Sequence, residues 1–116
     1  SGTFSFPSTG IYLISASSAM YSQWPDSAST DNWGVFMSIL VTTDNSNYNR
    51  AAFTSTFIEA AASKYQSFYL SYIFDVTNTS THKFKISQEV ENATVTFMGD
   101  SNTQETGFSV IRLGDT

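Results

Sequence analysis

The chain has one histidine, His82, in the stretch Ser80-Thr81-His82-Lys83. A histidine that relays protons in a hydrolase needs a nucleophile and an orienting carboxylate fixed around it. This one stands in turn-forming sequence, and the chain contains no Gly-x-Ser-x-Gly elbow. Its expected place is an exposed turn. A zinc site needs several Cys or His ligands, and the chain has no cysteine at all. Glu89 and Glu91 would share a face if their strand continues. Glycosidic cleavage needs two carboxylates facing each other across a cleft, whereas a solvated strand edge accounts for this pair equally well. A small enzyme is therefore the outside reading, and no catalytic residue is assigned.

Binding chemistry is better represented. The stretch YSQWPDSASTDNW, Tyr21 to Trp33, contains the longest irregular segment of the sequence, Tyr21 to Asn32, with Trp33 bordering a strand. Aromatic rings beside short polar side chains can stack on a sugar face and hydrogen-bond its hydroxyls. Tyr21, Trp24, Asp26, Asp31, Asn32 and Trp33 are thus the expected contacts for a surface receptor or glycan. Trp24 and Trp33 would equally serve to pin a long loop onto the body of the domain. Asp26, Asp31, Asp44 and Asp100 fall in candidate loops and could offer oxygen ligands to calcium. No EF-hand spacing is present, and loop aspartates also build turns. Asn78-Thr79-Ser80 and Asn92-Ala93-Thr94 fit the glycosylation pattern, which matters only in a eukaryotic secretory route.

The elements that must carry these residues follow from composition and patterning. At 116 residues the chain is expected to form one domain, 1–116, able to bury a core without a staple. The net charge is −5, and Arg50, Lys64, Lys83, Lys85 and Arg112 are the only cations. So few scattered cations make no basic patch for nucleic acid or anionic lipid. No apolar run reaches the length of a membrane span, and no signal-peptide pattern is present. The sequence opens on Ser1, so a fragment or processed product is expected.

Nineteen serines, fifteen threonines and an aromatic content of 16% suit β-strands with hydroxyl-rich surfaces. Strand signals occur at 3–6, 10–18, 34–43, 50–60, 66–77, 82–88, 93–98 and 106–113. Most are bounded by turn chemistry such as Pro7-Ser8-Thr9-Gly10 and Asp44-Asn45-Ser46-Asn47. Phe57 to Tyr65 contains good helix formers, but is read as a strand end plus a connection with at most one helical turn. The pattern predicts an all-β, antiparallel sandwich or barrel.

Three strands break the usual alternation of apolar and polar faces. In 10–16, Ile11 and Leu13 oppose Tyr12, Ile14 and Ala16. In 68–76, Phe68, Leu70, Tyr72, Phe74 and Val76 oppose Tyr69 and Ile73. In 107–113, Phe108 and Val110 oppose Ile111 and Leu113. The segment 35–41 is also mostly apolar on both faces, whereas 82–88 and 93–98 alternate more cleanly. One sheet thus reads as buried on both sides. At roughly 25 cal/mol per Å² of apolar surface, the expected cover is another copy of the chain.

The sequence also resembles a known family, the C1q-type globular domains. GTFSFPSTGIYLISA is similar to the family's Gly-x-Phe-x-x-Pro-x-x-Gly-x-Tyr-x-Phe, through Gly2, Phe4, Pro7, Gly10 and Tyr12, with Ile14 in place of the last aromatic. TGFSVIRLG resembles the closing strand through Phe108 and Ser109, with Val110 where a glycine is usual. YLSYIFDVTNTSTHKFKISQ resembles a strand pair whose Gly-Asp turn is here replaced by Thr81-His82. The resemblance implies an antiparallel jelly-roll sandwich of the C1q and tumour-necrosis-factor type. The family's first strand would lie upstream of Ser1. It further implies a homotrimer packed around an apolar axis, with Tyr12, Ile14, Tyr69, Ile73, Phe108 and Val110 expected at the contact between copies. Some relatives bind calcium near that axis. Family members occur in secreted animal proteins and at the tips of viral and phage fibres. The cysteine-free, Ser/Thr/Asn-rich style favours the second, so the expected function is host attachment through a receptor or glycan, on a virion or other extracellular surface. A secreted cellular protein binding a protein receptor is the alternative.

Overall fold

The computed structural model describes residues 2–22, 32–59, 64–91, 95–100 and 102–116. Among them there is no helix, and eight strands run β1 (Phe4–Ser5), β2 (Gly10–Ser22), β3 (Asn32–Thr42), β4 (Asn49–Glu59), β5 (Lys64–Val76), β6 (Lys83–Val90), β7 (Val95–Phe97) and β8 (Thr106–Gly114). All pairings are antiparallel. The chain is an all-β sandwich of two sheets. The first has the order β1-β6-β3-β4. The second has β5 on one side of β2, and β7 and β8 end to end on the other.

The second sheet is organised around β2. Its ladder with β5 covers all thirteen residues, from Gly10↔Val76 to Ser22↔Lys64. On its other edge β8 pairs with the first part of the strand, Ile11↔Gly114 to Ser18↔Thr106, and β7 with the last, Met20↔Phe97 to Ser22↔Val95. Ala19 is the handover point. Its amide donates to the Glu105 carbonyl at 3.0 Å and its carbonyl accepts from the Met98 amide at 2.8 Å. At the opposite end Gly10 has φ +153°, and a Cβ there would stand 2.8 Å from the Gly114 carbonyl oxygen. Only glycine fits where β2 and β8 begin to pair.

Period-2 alternation then decides what is buried. From β2, Tyr12, Ile14, Ala16 and Met20 point between the sheets, with Leu70, Phe74 and Val76 of β5. From the first sheet come Met37, Ile39, Val41 and Phe84. Phe84 is at the centre of a ring cluster, with centroids 5.2 Å from Phe4, 5.5 Å from Phe6 and 5.7 Å from Phe108. A smaller core of Met20, Val35, Ile58 and Val95 fills the far end, with Trp33, Phe68 and Phe97 against it. Between the two cores Ser18 is buried, its hydroxyl 3.0 Å from that of Thr106.

The slab is thin and long, 53 × 30 × 18 Å. Its radius of gyration is 16.4 Å, against about 13 Å for a compact domain of this length. The shape follows from two strands of thirteen residues at roughly 3.3 Å per residue, packed only two layers deep.

One expectation changes here. His82 is 9% exposed rather than free in a turn. Its ring stacks on Phe74 at 5.6 Å. Nε2 lies 3.3 Å from Thr77 Oγ1 and Nδ1 lies 3.0 Å from Thr81 Oγ1. Of the segment with helix formers, Phe57 to Glu59 completes β4 and Lys64-Tyr65 opens β5; residues 60–63 lie outside the described ones.

Phe84→Ala, at 1% exposure, is expected to cost about 3–5 kcal/mol by leaving a cavity among three rings. Tyr65→Ala, at 67% exposure, is expected to stay within about 0.5 kcal/mol. Urea unfolding of both variants beside the parent chain measures the difference.

Candidate functional site

The same alternation that fills the core with Tyr12 and Ile14 turns Ile11 and Leu13 outward. The register lays three outward side chains in one row across the second sheet: Ile73 of β5, Leu13 of β2 and Ile111 of β8. Ile73 is 59% exposed and Ile111 55%. Leu113 extends the patch along β8, and Tyr69 borders it on β5. The next row outward on the same face is Ser71–Ser15–Ser109. Tyr69 leans over it and donates its hydroxyl proton to Ser15 Oγ at 3.4 Å. A phenolate there would accept from the Ser15 and Ser71 hydroxyls, which lowers the Tyr69 phenol from its ordinary value.

This face is uncharged over its middle and low in profile. Small hydroxyls beside a branched apolar row let a second sheet approach closely, at the roughly 10 Å spacing of packed sheets. The outward face of the first sheet is handled differently. There Phe36 and Phe53 stack at 6.1 Å, and the Arg50 guanidinium lies 4.4 Å over the Phe53 ring. Lys85 lies 4.0 Å over Tyr48. Cations over ring faces keep those aromatics compatible with water. The Ile73–Leu13–Ile111 row offers no ring face to a cation.

Of the six residues expected between copies, Tyr69 and Ile73 are on this outward face. Tyr12 and Ile14, at 4% and 0% exposure, lie instead in the chain's own core. Phe108 and Val110 also point between the sheets, Phe108 half-buried against the core and Val110 at its rim. A strand apolar on both faces leaves its inward parity undecided, and pairing with Phe74 and Val76 settled it. The outward residues of the neighbouring strands are Ile11, Leu13, Ile111 and Leu113. Their signal is the opposite half of the same two-faced pattern.

Of the expected ligand contacts, Trp24, Asp26 and Asp31 lie outside the described residues. Asn32 opens β3 opposite Glu59. Tyr21 is half-buried near the end of β2, its ring 6.0 Å from that of Tyr65. Trp33 packs on the smaller core, which is the anchoring role open to it. Trp33 and Tyr21 are thus fixed in the body of the sandwich, on β3 and β2.

The two described loop carboxylates, Asp44 and Asp100, serve turns. Asp44 Oδ1 accepts from the Thr42 hydroxyl at 2.9 Å and from the amides of Ser46 and Asn47 at 2.9 and 2.7 Å. Its Oδ2 accepts from Asn47 Nδ2 at 2.7 Å. Both oxygens therefore face donors, the reverse of what a cation needs. Asn45 takes the left-handed conformation, φ 63°, which asparagine tolerates. Asp100 Oδ1 accepts from the Asn102 amide. Among the described residues no group of three acidic or imidazole side chains is placed to hold a metal. Glu89 is exposed on β6 and Glu91 falls just beyond its end, its amide bonded to the Gly34 carbonyl at 3.0 Å.

Compared with protein-family models, curated proteins and solved structures, the chain gives no significant match.

The Asp44 turn yields a pH prediction. Bonds from Asn47, Ser46 and Thr42 hold its carboxyl well below the usual range. A carboxyl depressed by folding stabilises the native state above its unfolded value near 4 and ceases to as pH falls below it. The stability advantage of the parent chain over Asp44→Asn should be constant from neutral pH down to about 5 and shrink below about 4. Urea titrations at several pH values measure it; an advantage that grows on acidification contradicts the assignment.

Proposed function

We propose that the chain is a non-enzymatic binding domain that works as a homotrimer, with the outward face of the β5-β2-β8 sheet as its self-contact. The single observation behind this is the exposed Ile73–Leu13–Ile111 row with Leu113 beside it. A monomer that leaves such a patch wet risks indiscriminate aggregation. A closed symmetric assembly covers it once and stops. In a three-fold assembly the bare faces of the three copies meet along the axis and cover one another there.

Strand order supports a jelly roll of the C1q and tumour-necrosis-factor type. The chain leaves one sheet for the other between β1 and β2, β2 and β3, β4 and β5, β5 and β6, and β6 and β7. Such repeated crossing is how jelly rolls interleave two sheets. The motif resemblance adds the number three. In that arrangement each surface loop is displayed three times, and weak contacts to a receptor or glycan gain from multivalency. The composition favours a virion fibre head that attaches to a host surface, with a secreted receptor-binding domain as the alternative.

Sedimentation equilibrium at micromolar concentration is expected to give three times the 12.8 kDa of the chain. Ile73→Asp combined with Ile111→Asp should yield a folded monomer with unchanged circular dichroism. Phe53→Ser, on the opposite face, should leave the trimer intact. A parent chain that sediments as a protomer, or a double variant that stays trimeric, overturns the reading.

A further inference from the structure

On the outward face of the first sheet, the register places Ser87 of β6, Ser38 of β3 and Phe53 of β4 in one row. The row on one side is Glu89–Phe36–Ser55, and on the other Lys85–Leu40–Arg50. Ser38 must point outward, because Met37 and Ile39 on either side of it fill the core. It is nevertheless only 6% exposed. The larger side chains around it, Phe36 and Leu40 along β3 and Phe53 across the ladder, stand above it as walls. The Phe36 and Phe53 rings are nearly parallel, 19° apart. A serine hydroxyl can donate one hydrogen bond and accept two, and that of Ser38 makes none among the described residues. The middle of this face is thus a shallow pit, with rings at its rim and a free hydroxyl on its floor.

Cations gather on one side of the pit. Arg50 and Lys85 flank Leu40, and Lys83 follows in the next row beside Thr42. The chain has ten acidic side chains to five cations, yet the ion pairs among the described residues belong to Lys64 and Arg112. Asp44, in the adjoining turn, is taken up by Thr42, Ser46 and Asn47. Rings hold two of the three cations instead, Phe53 for Arg50 and Tyr48 for Lys85. Lys85 on β6 and Tyr48 just before β4 meet across β3, so the ammonium is drawn in over the sheet. A ring face orients a cation without neutralising it. Two fixed, unneutralised cations therefore stand beside the pit, on strands about 10 Å apart.

We propose that this pit binds a pyranose carrying a carboxylate, the acidic unit of a surface glycan. The proposal rests on the binding-domain reading above, and it puts the ligand on the sheet that the self-contact leaves outward. The C–H face of the sugar lies against Phe36 and Phe53. Its hydroxyls bond to Ser38 and Ser87, and its carboxylate accepts from Arg50 and Lys85. A neutral sugar would leave both cations unused. A bare anion such as phosphate would leave the rings and the buried hydroxyl unused. A nucleic acid is disfavoured by Glu89 in the neighbouring row and by the net charge of −5.

The test is an NMR titration of the full 116-residue chain at physiological salt with sialyllactose, and separately with digalacturonate. The methyls of Leu40 and the rings of Phe36 and Phe53 report binding. Saturable shifts there are expected with at least one of the two acids, and the one that binds names the source of the carboxylate. Neutral lactose should bind about tenfold more weakly or worse, the loss of one charge-assisted contact. Arg50→Gln combined with Lys85→Gln should bring the acid down to the level of lactose, with unchanged circular dichroism. Ser38→Val should weaken acid and lactose alike, and Lys64→Gln, a cation outside the pit, should change neither. The Ile73→Asp, Ile111→Asp variant should keep the parent's affinity for the free sugar and lose only its retention on beads that carry it. Equal retention of the two removes the self-contact and leaves this site standing, whereas a parent trimer that binds neither acid removes this site alone. The proposal is also overturned by equal affinity for acid and lactose, by binding that survives the Arg50, Lys85 double variant, or by a sulfated heparin disaccharide that binds more tightly than either acid.

Discussion

Strand β2 is hydrogen-bonded along both edges, and its side chains are apolar on both faces for its first half. Because successive residues must point to opposite faces, the backbone that delivers Tyr12, Ile14 and Ala16 to the interior necessarily delivers Ile11 and Leu13 to the outside. The register with β5 and β8 then aligns Leu13 with Ile73 and Ile111. Neither face can be altered alone by a shift in pairing, since a slip of one residue would exchange them. Core composition and surface character are two readings of one constraint.

The two outer faces show what that constraint leaves to the side chains. On the first sheet the exposed phenylalanines alternate with serines and threonines, and Arg50 and Lys85 lie over aromatic rings. Sparse cations, five in the whole chain, are thus partly spent on that side. The second sheet carries aliphatic residues, which a cation cannot screen through a ring quadrupole. Its neighbours are serines, which add hydrogen-bonding capacity without height.

Much of this was legible in the sequence. All eight strands fall where apolar alternation and turn chemistry place them, and the three strands read as apolar on both faces, 10–16, 68–76 and 107–113, all join the same sheet, whereas the segment 35–41, also read as mostly apolar on both faces, is in β3 of the other sheet. What the pattern does not contain is parity. With Ile11, Tyr12, Leu13 and Ile14 in succession, hydrophobicity is degenerate, and only tertiary pairing with Phe74 and Phe84 makes Tyr12 and Ile14 interior. His82 was hidden for a related reason. Its neighbours are those of a turn, but Phe74, near the end of the preceding strand β5, provides the ring it stacks on. Trp33, by contrast, had its structural role written in its position at the start of an apolar strand.

The division of one edge of β2 between β7 and β8 has a bearing on how the molecule is born. During synthesis β2 emerges before each of its three partners, its ladder partner β5 follows only after two strands of the other sheet, and Gly114, the partner of Ile11, comes later still. Contacts so remote along the chain close slowly. Until β8 has emerged, one edge of the central strand has open amides and carbonyls beside its greasiest residues. The nascent chain is therefore most vulnerable to pairing with a stranger just before β8 appears, and neighbouring nascent copies would be the nearest strangers at hand.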